Sequence, residues 1–291
     1  MLLLLLLLLL LPPSLPLVPP SPPYPLISLA GSLSCSLTHA LVTPLDSTKT
    51  NLQTTPSFST LTESFLSLKK KKQLFKGFKP TVIGYGWYGA TVYPTYEFLK
   101  HLDIQGDPMI VSLVSGGSAA VVASIGLCPM ENWRIGMFKG QKSRGYDGFG
   151  SLLGRQVVFG SVKFLAFEEF RQKIMEVQPE VSSSVSFGLL ATILAGLGSG
   201  VLSCYISQPF DTMLTALTSS KLGVVETFEG IMDEDGIVGL WRGVKGRAVW
   251  SGLIIGGQFF LYDIFKEIVG VNGGSIGAGA IEVAKEFEQI I

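Results

Sequence analysis

Three stretches decide the architecture: AGSLSCSLTHALVTPLD at residues 30–46, SGGSAAVVASIGLCPME at 115–131 and AGLGSGVLSCYISQPFD at 195–211. In each, a glycine stands 13 residues before a proline: Gly31 and Pro44, Gly116 and Pro129, Gly196 and Pro209. An acid follows each proline by two residues, at Asp46, Glu131 and Asp211. A base follows by five at Lys49 and Arg134, while Leu214 takes that place in the third stretch. A second triplet alternates with the first. Tyr96-Glu97-Phe98-Leu99-Lys100, Phe167-Glu168-Glu169-Phe170-Arg171 and Tyr262-Asp263-Ile264-Phe265-Lys266 all read aromatic, acid, two residues, base. Two motifs that each recur three times in alternation indicate three tandem repeats of two helices.

The surroundings of these motifs place them in a bilayer. Apolar stretches of membrane length run over 26–50, 80–99, 109–133, 150–167, 185–214 and 247–269. Charges beside such runs are costly in lipid and face a bundle interior or a water cavity. The expected fold is therefore an all-α membrane protein, with six transmembrane helices in a pseudo-threefold bundle. The repeats are read as 24–100, 101–172 and 173–268, with a Leu/Pro-rich tail at 1–23 and a C-terminal tail at 269–291. Repeat two is the short one. Pro44 to Tyr96 is 52 residues and Pro209 to Tyr262 is 53, but Pro129 to Phe167 is 38, the shortfall lying between Arg134 and Arg155.

Composition agrees. Of 291 residues 47% are hydrophobic and only 15% charged, against roughly 25% in a soluble domain. Lys+Arg and Asp+Glu are both 22, a balance that argues against nucleic acid as a partner. Cys35, Cys128 and Cys204 lie far apart in apolar surroundings and are expected reduced and buried. His39 and His101 are the only imidazoles, so neither a metal site nor a cofactor is expected. Residues 2–11 are leucines. Ten helical residues cover about 15 Å, half a hydrocarbon core, so this run does not span. Lys69, Lys70, Lys71, Lys72, Lys76 and Lys79 fall between segments one and two, and other basic loops follow segments three and five. The positive bias puts those loops on one side and both termini on the other.

In these motifs the chain resembles the mitochondrial carrier family over roughly residues 24–268. That family alternates Pro-x-acid-x-x-base, then acid-Gly and aromatic-base-Gly, then aromatic-acid-x-x-base. Repeat three keeps the linking stretch as Asp235-Gly236-Ile237-Val238-Gly239-Leu240-Trp241-Arg242-Gly243, and repeat one keeps Phe75-Lys76-Gly77. The phosphate-carrying branch is the nearest in pattern. LSCSLTHALVTPLDSTKTNLQ, GLCPMEN, GRQVVFGSVKFLAFE and SQPFDTML all resemble it. Departures stand at Tyr88 and Val92, where that branch has Gln and Lys, and at Ala120 and Ser124, where it has carboxylates. Asn51 replaces a further base.

What the resemblance implies is a transporter in the mitochondrial inner membrane, with the plastid envelope as the alternative. It is expected to be a monomer, in contact with membrane lipid including cardiolipin. The implied solute is inorganic phosphate, with proton symport or hydroxide exchange. Arg155, Lys163, Gln156 and His39 are the implied substrate and proton residues. Asp46, Lys49, Gln53, Glu131, Arg134 and Asp211 form the implied matrix-side gate. Glu97, Lys100, Glu168, Arg171, Asp263 and Lys266 form the cytoplasmic-side gate. Cyclic pairing would join Asp46 to Arg134 and Asp211 to Lys49, leaving Glu131 opposite Leu214 without a base. Two other readings remain: a carrier fold moving another small anion, or one serving as a non-transporting adaptor. A remote third, an NAD-dependent oxidoreductase, rests on Gly84-Tyr85-Gly86-Trp87-Tyr88-Gly89, which fits G-x-G-x-x-G after a strand-like run.

Overall fold

The three glycines that precede the motif prolines are where the helices cross. The computed structural model describes residues 23–54, 61–102, 106–140, 145–146, 148–177, 185–220, 224–241 and 243–271, and no strand occurs among them. The helices are α1 (Tyr24–Thr54), α2 (Leu61–Lys70), α3 (Phe78–His101), α4 (Pro108–Lys139), α5 (Phe149–Val177), α6 (Val185–Ser220), α7 (Val224–Asp235) and α8 (Val244–Ile268), with a 3₁₀ segment at Gly236–Trp241. A Cβ on Gly31 of α1 would overlap the carbonyl of Gly89 on α3. One on Gly116 of α4 would come within 2.7 Å of the Gly160 carbonyl on α5, and one on Gly196 of α6 within 2.7 Å of the Gly256 Cα on α8. Small residues at these points let backbones approach without lipid between them.

The six long helices close into a ring. α1, α3, α4, α5, α6 and α8 each pack on the next, and α8 returns to α1. Four stretches, Tyr24–Thr48, Pro108–Phe138, Phe187–Met213 and Val225–Ile268, are long and apolar enough to cross a membrane. α3 and α5 complete the ring; α3 is rich in Gly, Tyr, Thr and Pro, and α5 carries Arg155, Gln156 and Lys163 within its apolar run. α1 shows the inside-out pattern of a membrane bundle. Leu29, Leu33, Leu37, Leu41 and Leu45, spaced by four, are exposed, while Ser34, Thr38, His39, Thr43 and Asp46 are buried.

Pro44, Pro129 and Pro209 sit inside α1, α4 and α6, and Pro94 inside α3. A helical proline frees the carbonyl four residues before it. Two of these carbonyls receive donors from other elements. Ser28 Oγ of α1 donates to Ala90 O at 2.7 Å, and Trp241 Nε1 donates to Tyr205 O at 3.0 Å. The residue three after each motif proline pins the linker that follows. Ser47 donates to Lys76 O at 2.7 Å, Asn132 to Gly145 O at 2.6 Å and Thr212 to Leu240 O at 2.7 Å. Gly77 and Gly243, which end the aromatic-base-Gly stretches, take φ of 88° and 80° at the N-caps of α3 and α8. A side chain would be strained there.

Repeats one and three each carry a surface helix, α2 or α7, between their long helices. In repeat two α4 ends at Lys139 and α5 begins at Phe149, and residues 141–144 and 147 between them lie outside the described residues. All three cysteines are buried and outside any disulfide, as expected. The glycine-rich run of the dinucleotide reading lies inside α3, not in a loop. Its glycines face Met130, Ser36 and Gly31 of neighbouring helices, so they serve helix packing and form no phosphate cradle. Residues 1–22 and 272–291, which hold nearly all of both tails, lie outside the described residues.

Candidate functional site

Polar side chains gather in two layers, one at the proline motifs and one at the aromatic-acid motifs, with a lysine between them. In the proline layer Arg134 lies 3.7 Å from Asp46, the expected pairing of repeats one and two. Arg134 also turns back on its own helix to Glu131 at 2.7 Å. Tyr85 of α3 donates to the other oxygen of Glu131 at 3.0 Å. The expectation that Glu131 stands without a base is therefore corrected. A residue and its i+3 neighbour share one helical face, so the base of its own motif serves it. His39 stacks on Tyr85, ring centroids 3.3 Å apart and nearly parallel, and its Nδ1 is 3.7 Å from Asp46.

Asp211 finds bases that the repeat pattern does not supply. Arg155 of α5 reaches it at 3.6 Å and Arg247 of α8 at 3.6 Å, and Arg247 also donates to Gln208 at 2.9 Å. The side chains of Lys49, Gln53 and Leu214, and with them the expected Asp211–Lys49 pair, lie outside the described residues.

The second layer is built on Glu168. Lys100 donates to both its oxygens, at 2.7 and 2.8 Å, Tyr96 to one at 2.7 Å and Ser112 to the other at 2.8 Å. In repeat three Thr192 donates to Asp263 at 2.8 Å, and Arg171 Nε reaches Thr192 at 3.5 Å. Glu97 meets His101 at 4.0 Å, and Lys266 lies over the Tyr262 ring. The motif aromatics close the space beside this layer. Tyr93 stacks on Tyr262, Tyr96 on Phe164 and Phe167 on Phe259, with centroids 3.9, 3.9 and 3.7 Å apart. The three pairs join α3, α5 and α8, the second helices of the repeats.

Lys163 sits between the layers with 1% of its surface exposed. Among the described residues its one polar partner is the Tyr88 hydroxyl at 3.4 Å. The rings of Phe164, Tyr88, Tyr93 and Phe259 surround its Nζ at 4.4 to 5.9 Å. Arg155 and Lys163 are not brought together: eight helical residues separate them by about 12 Å, and their partners differ. Gln156 is half-buried with no hydrogen-bond partner among the described residues. Tyr85, Arg247, Ser112 and Thr192 join these layers without being expected from the motifs. The last two carried a signal, since both lie 17 residues before a motif proline.

The described residues thus set two charged layers around one buried base, Lys163. Comparison with known proteins agrees. The family described as "Mitochondrial carrier protein" matches residues 21–107 and 186–273. "Mitochondrial phosphate carrier protein 3, mitochondrial" of Arabidopsis thaliana is 33% identical, the match covering 89% of this chain and 78% of that protein. "Mitochondrial substrate carrier family protein N" of Dictyostelium discoideum is 31% identical over 83% of this chain and 93% of its own. "Probable mitochondrial phosphate carrier protein" of Schizosaccharomyces pombe is 30% identical over 88% of this chain and 98% of its own. Three helix-pair repeats, a closed ring of long helices and these relatives together make the chain a member of the mitochondrial carrier family, a multi-pass transporter of the mitochondrial inner membrane.

Proposed function

We propose that the protein carries inorganic phosphate across the inner membrane by alternating access, as a monomer. The observation that carries the reading is Lys163, buried at the bundle centre with no carboxylate among its described partners. Burying a cation without a counter-charge is costly, and a passing anion supplies that charge. The names of the plant and yeast relatives favour phosphate among small anions. The Tyr88 hydroxyl beside Nζ offers a donor that a phosphate oxygen accepts.

The two layers act as gates in this reading. Asp46, Glu131, Arg134 and Asp211 close one end, Lys100, Glu168, Arg171 and Asp263 the other, and the repeats rock about the midplane site. Solute bound between the layers favours whichever form holds it best, so binding drives the exchange of open sides. Arg155, held by Asp211 at 3.6 Å, belongs to the first gate in this scheme and meets the anion only as that gate opens. His39 is the proton-carrying group, because an imidazole changes charge in the physiological range and lies beside the gate carboxylate Asp46.

The test is uptake of radiolabelled phosphate by the purified full chain in liposomes of mixed neutral lipid and cardiolipin. Saturable uptake that responds to an imposed pH gradient is expected. Flux of a different small anion alone would show another solute, and binding without any flux would favour an adaptor.

A further inference from the structure

One position on the first helix of each repeat lies 17 residues before its proline: Ile27, Ser112 and Thr192. In repeat two Ser112 Oγ donates to Glu168 Oε2 at 2.8 Å, and in repeat three Thr192 Oγ1 donates to Asp263 Oδ2 at 2.8 Å. Both hydroxyls are buried, at 3% and 0% exposure. Each therefore holds the acid of its own repeat's aromatic-acid motif. In repeat one the place is taken by Ile27, buried and unable to donate. Glu97 there meets His101 at 4.0 Å instead.

The bases follow the same division. Lys100 of repeat one is on Glu168 of repeat two at 2.7 Å. Arg171 of repeat two reaches Thr192, which holds Asp263 of repeat three. The third seam, Lys266 of repeat three toward Glu97 of repeat one, forms no pair among the described residues: Lys266 Nζ lies over its own Tyr262 ring at 5.3 Å. Among the described residues, the seam whose acid has no hydroxyl is also the one whose base reaches neither acid nor hydroxyl of the next repeat.

We propose that Ser112 and Thr192 are positioning residues of this gate, and that it parts first at the seam between repeats three and one, where Ile27 leaves Glu97 without such a hydroxyl. The bond lies within a repeat, so it survives when repeats separate. Its effect is to fix the carboxylate in the rotamer that the neighbouring base needs. Without it, closing must freeze a freely turning side chain, which shifts the open–closed balance roughly two- to tenfold toward open. The inference rests on the gate reading of this layer but not on phosphate as the solute.

The test is hydrogen exchange with mass-spectrometric readout on the full chain in lipid nanodiscs, with no solute added. Ser112→Ala is expected to raise exchange in residues 97–101 and 168–177 roughly two- to tenfold, leaving residues 39–54 at the proline end unchanged. Ser112→Thr keeps the hydroxyl and is expected to match the unaltered chain. Ile27→Thr, which supplies the missing hydroxyl, is expected to slow exchange in residues 97–101 and 263–268. A rise spread evenly over both ends would reduce Ser112 to ordinary packing and overturn the proposal, as would an Ile27→Thr chain that exchanges no more slowly. A lack of phosphate flux in liposomes leaves these exchange results unaffected, so the two readings fail separately.

Discussion

The indole Nε1 of Trp241 donates to the carbonyl of Tyr205 at 3.0 Å, and Tyr205 is the residue whose in-helix partner Pro209 removes. A kink in a membrane helix leaves a polar group that must be met from elsewhere. Here the aromatic of the linking stretch meets it, so the Trp in that motif and the Pro in the preceding one form a single device. Trp241→Phe is expected to cost about 1 kcal/mol of stability, read as a lowered melting temperature in detergent. In a Pro209→Ala background the carbonyl regains a backbone N–H, and the same substitution is expected to cost less. Equal losses in both backgrounds would show that the two residues are not coupled.

The helix crossings predict a contrast between glycines. Gly116 meets the Gly160 carbonyl, whereas a Cβ on Gly154 of α5 has nothing within 4 Å. Gly116→Ala is expected to destabilise by about 1–3 kcal/mol through overpacking and to lower the yield of folded protein. Gly154→Ala is expected to be neutral or mildly stabilising, since alanine is the better helix former. Size-exclusion profiles and melting temperatures of the two variants decide it.

These crossings explain how much of the fold the amino-acid sequence discloses. Gly31, Gly116 and Gly196 repeat because each must admit a backbone, and a steric need of that kind leaves one residue type at one spacing. The partner glycines, Gly89, Gly160 and Gly256, stand seven, seven and six residues before their aromatic, and that offset hides the pattern. Pairs within one helix, such as Glu131 with Arg134, follow from periodicity. Pairs between helices, such as Glu131 with Tyr85 or Asp211 with Arg155, depend on the register of one helix against another, which no spacing along the chain encodes. Ser47, Asn132 and Thr212 were open to reading, because aligning the three motifs places a small polar residue three after each proline.

Lys163 and Lys72 separate transport from surface charge. Lys163 is buried between the layers, and Lys72 is exposed on the linker after α2. Lys163→Gln is expected to lower anion uptake by about tenfold or more, the loss of one charge-assisted hydrogen bond to the solute. Lys72→Ala is expected to leave it within the scatter of the unaltered chain. Uptake by purified protein in liposomes checks both, and equal effects would remove Lys163 from the path.

Proton coupling is where this chain is expected to differ from the relatives it resembles. Ala120 carries no titratable group and is buried against Gly160, while Ser124 is spent on the Ala120 carbonyl at 2.6 Å. Glu131 is already engaged by Arg134 on one oxygen and Tyr85 on the other. That leaves His39, stacked on Tyr85, its Nδ1 3.7 Å from Asp46 and without a hydrogen-bond partner among the described residues. A gate that opens moves Arg134 away from Asp46 and leaves His39 beside that carboxylate as a side chain able to carry a proton. Phosphate uptake is therefore expected to respond to an imposed pH gradient less than in the Schizosaccharomyces pombe relative assayed beside it. His39→Asn is expected to abolish the remaining response while sparing exchange at equal pH on both sides. A full response in the unaltered chain would mean that the carboxylates replaced by Ala120 and Ser124 are dispensable. A response that survives His39→Asn would move the proton to another group.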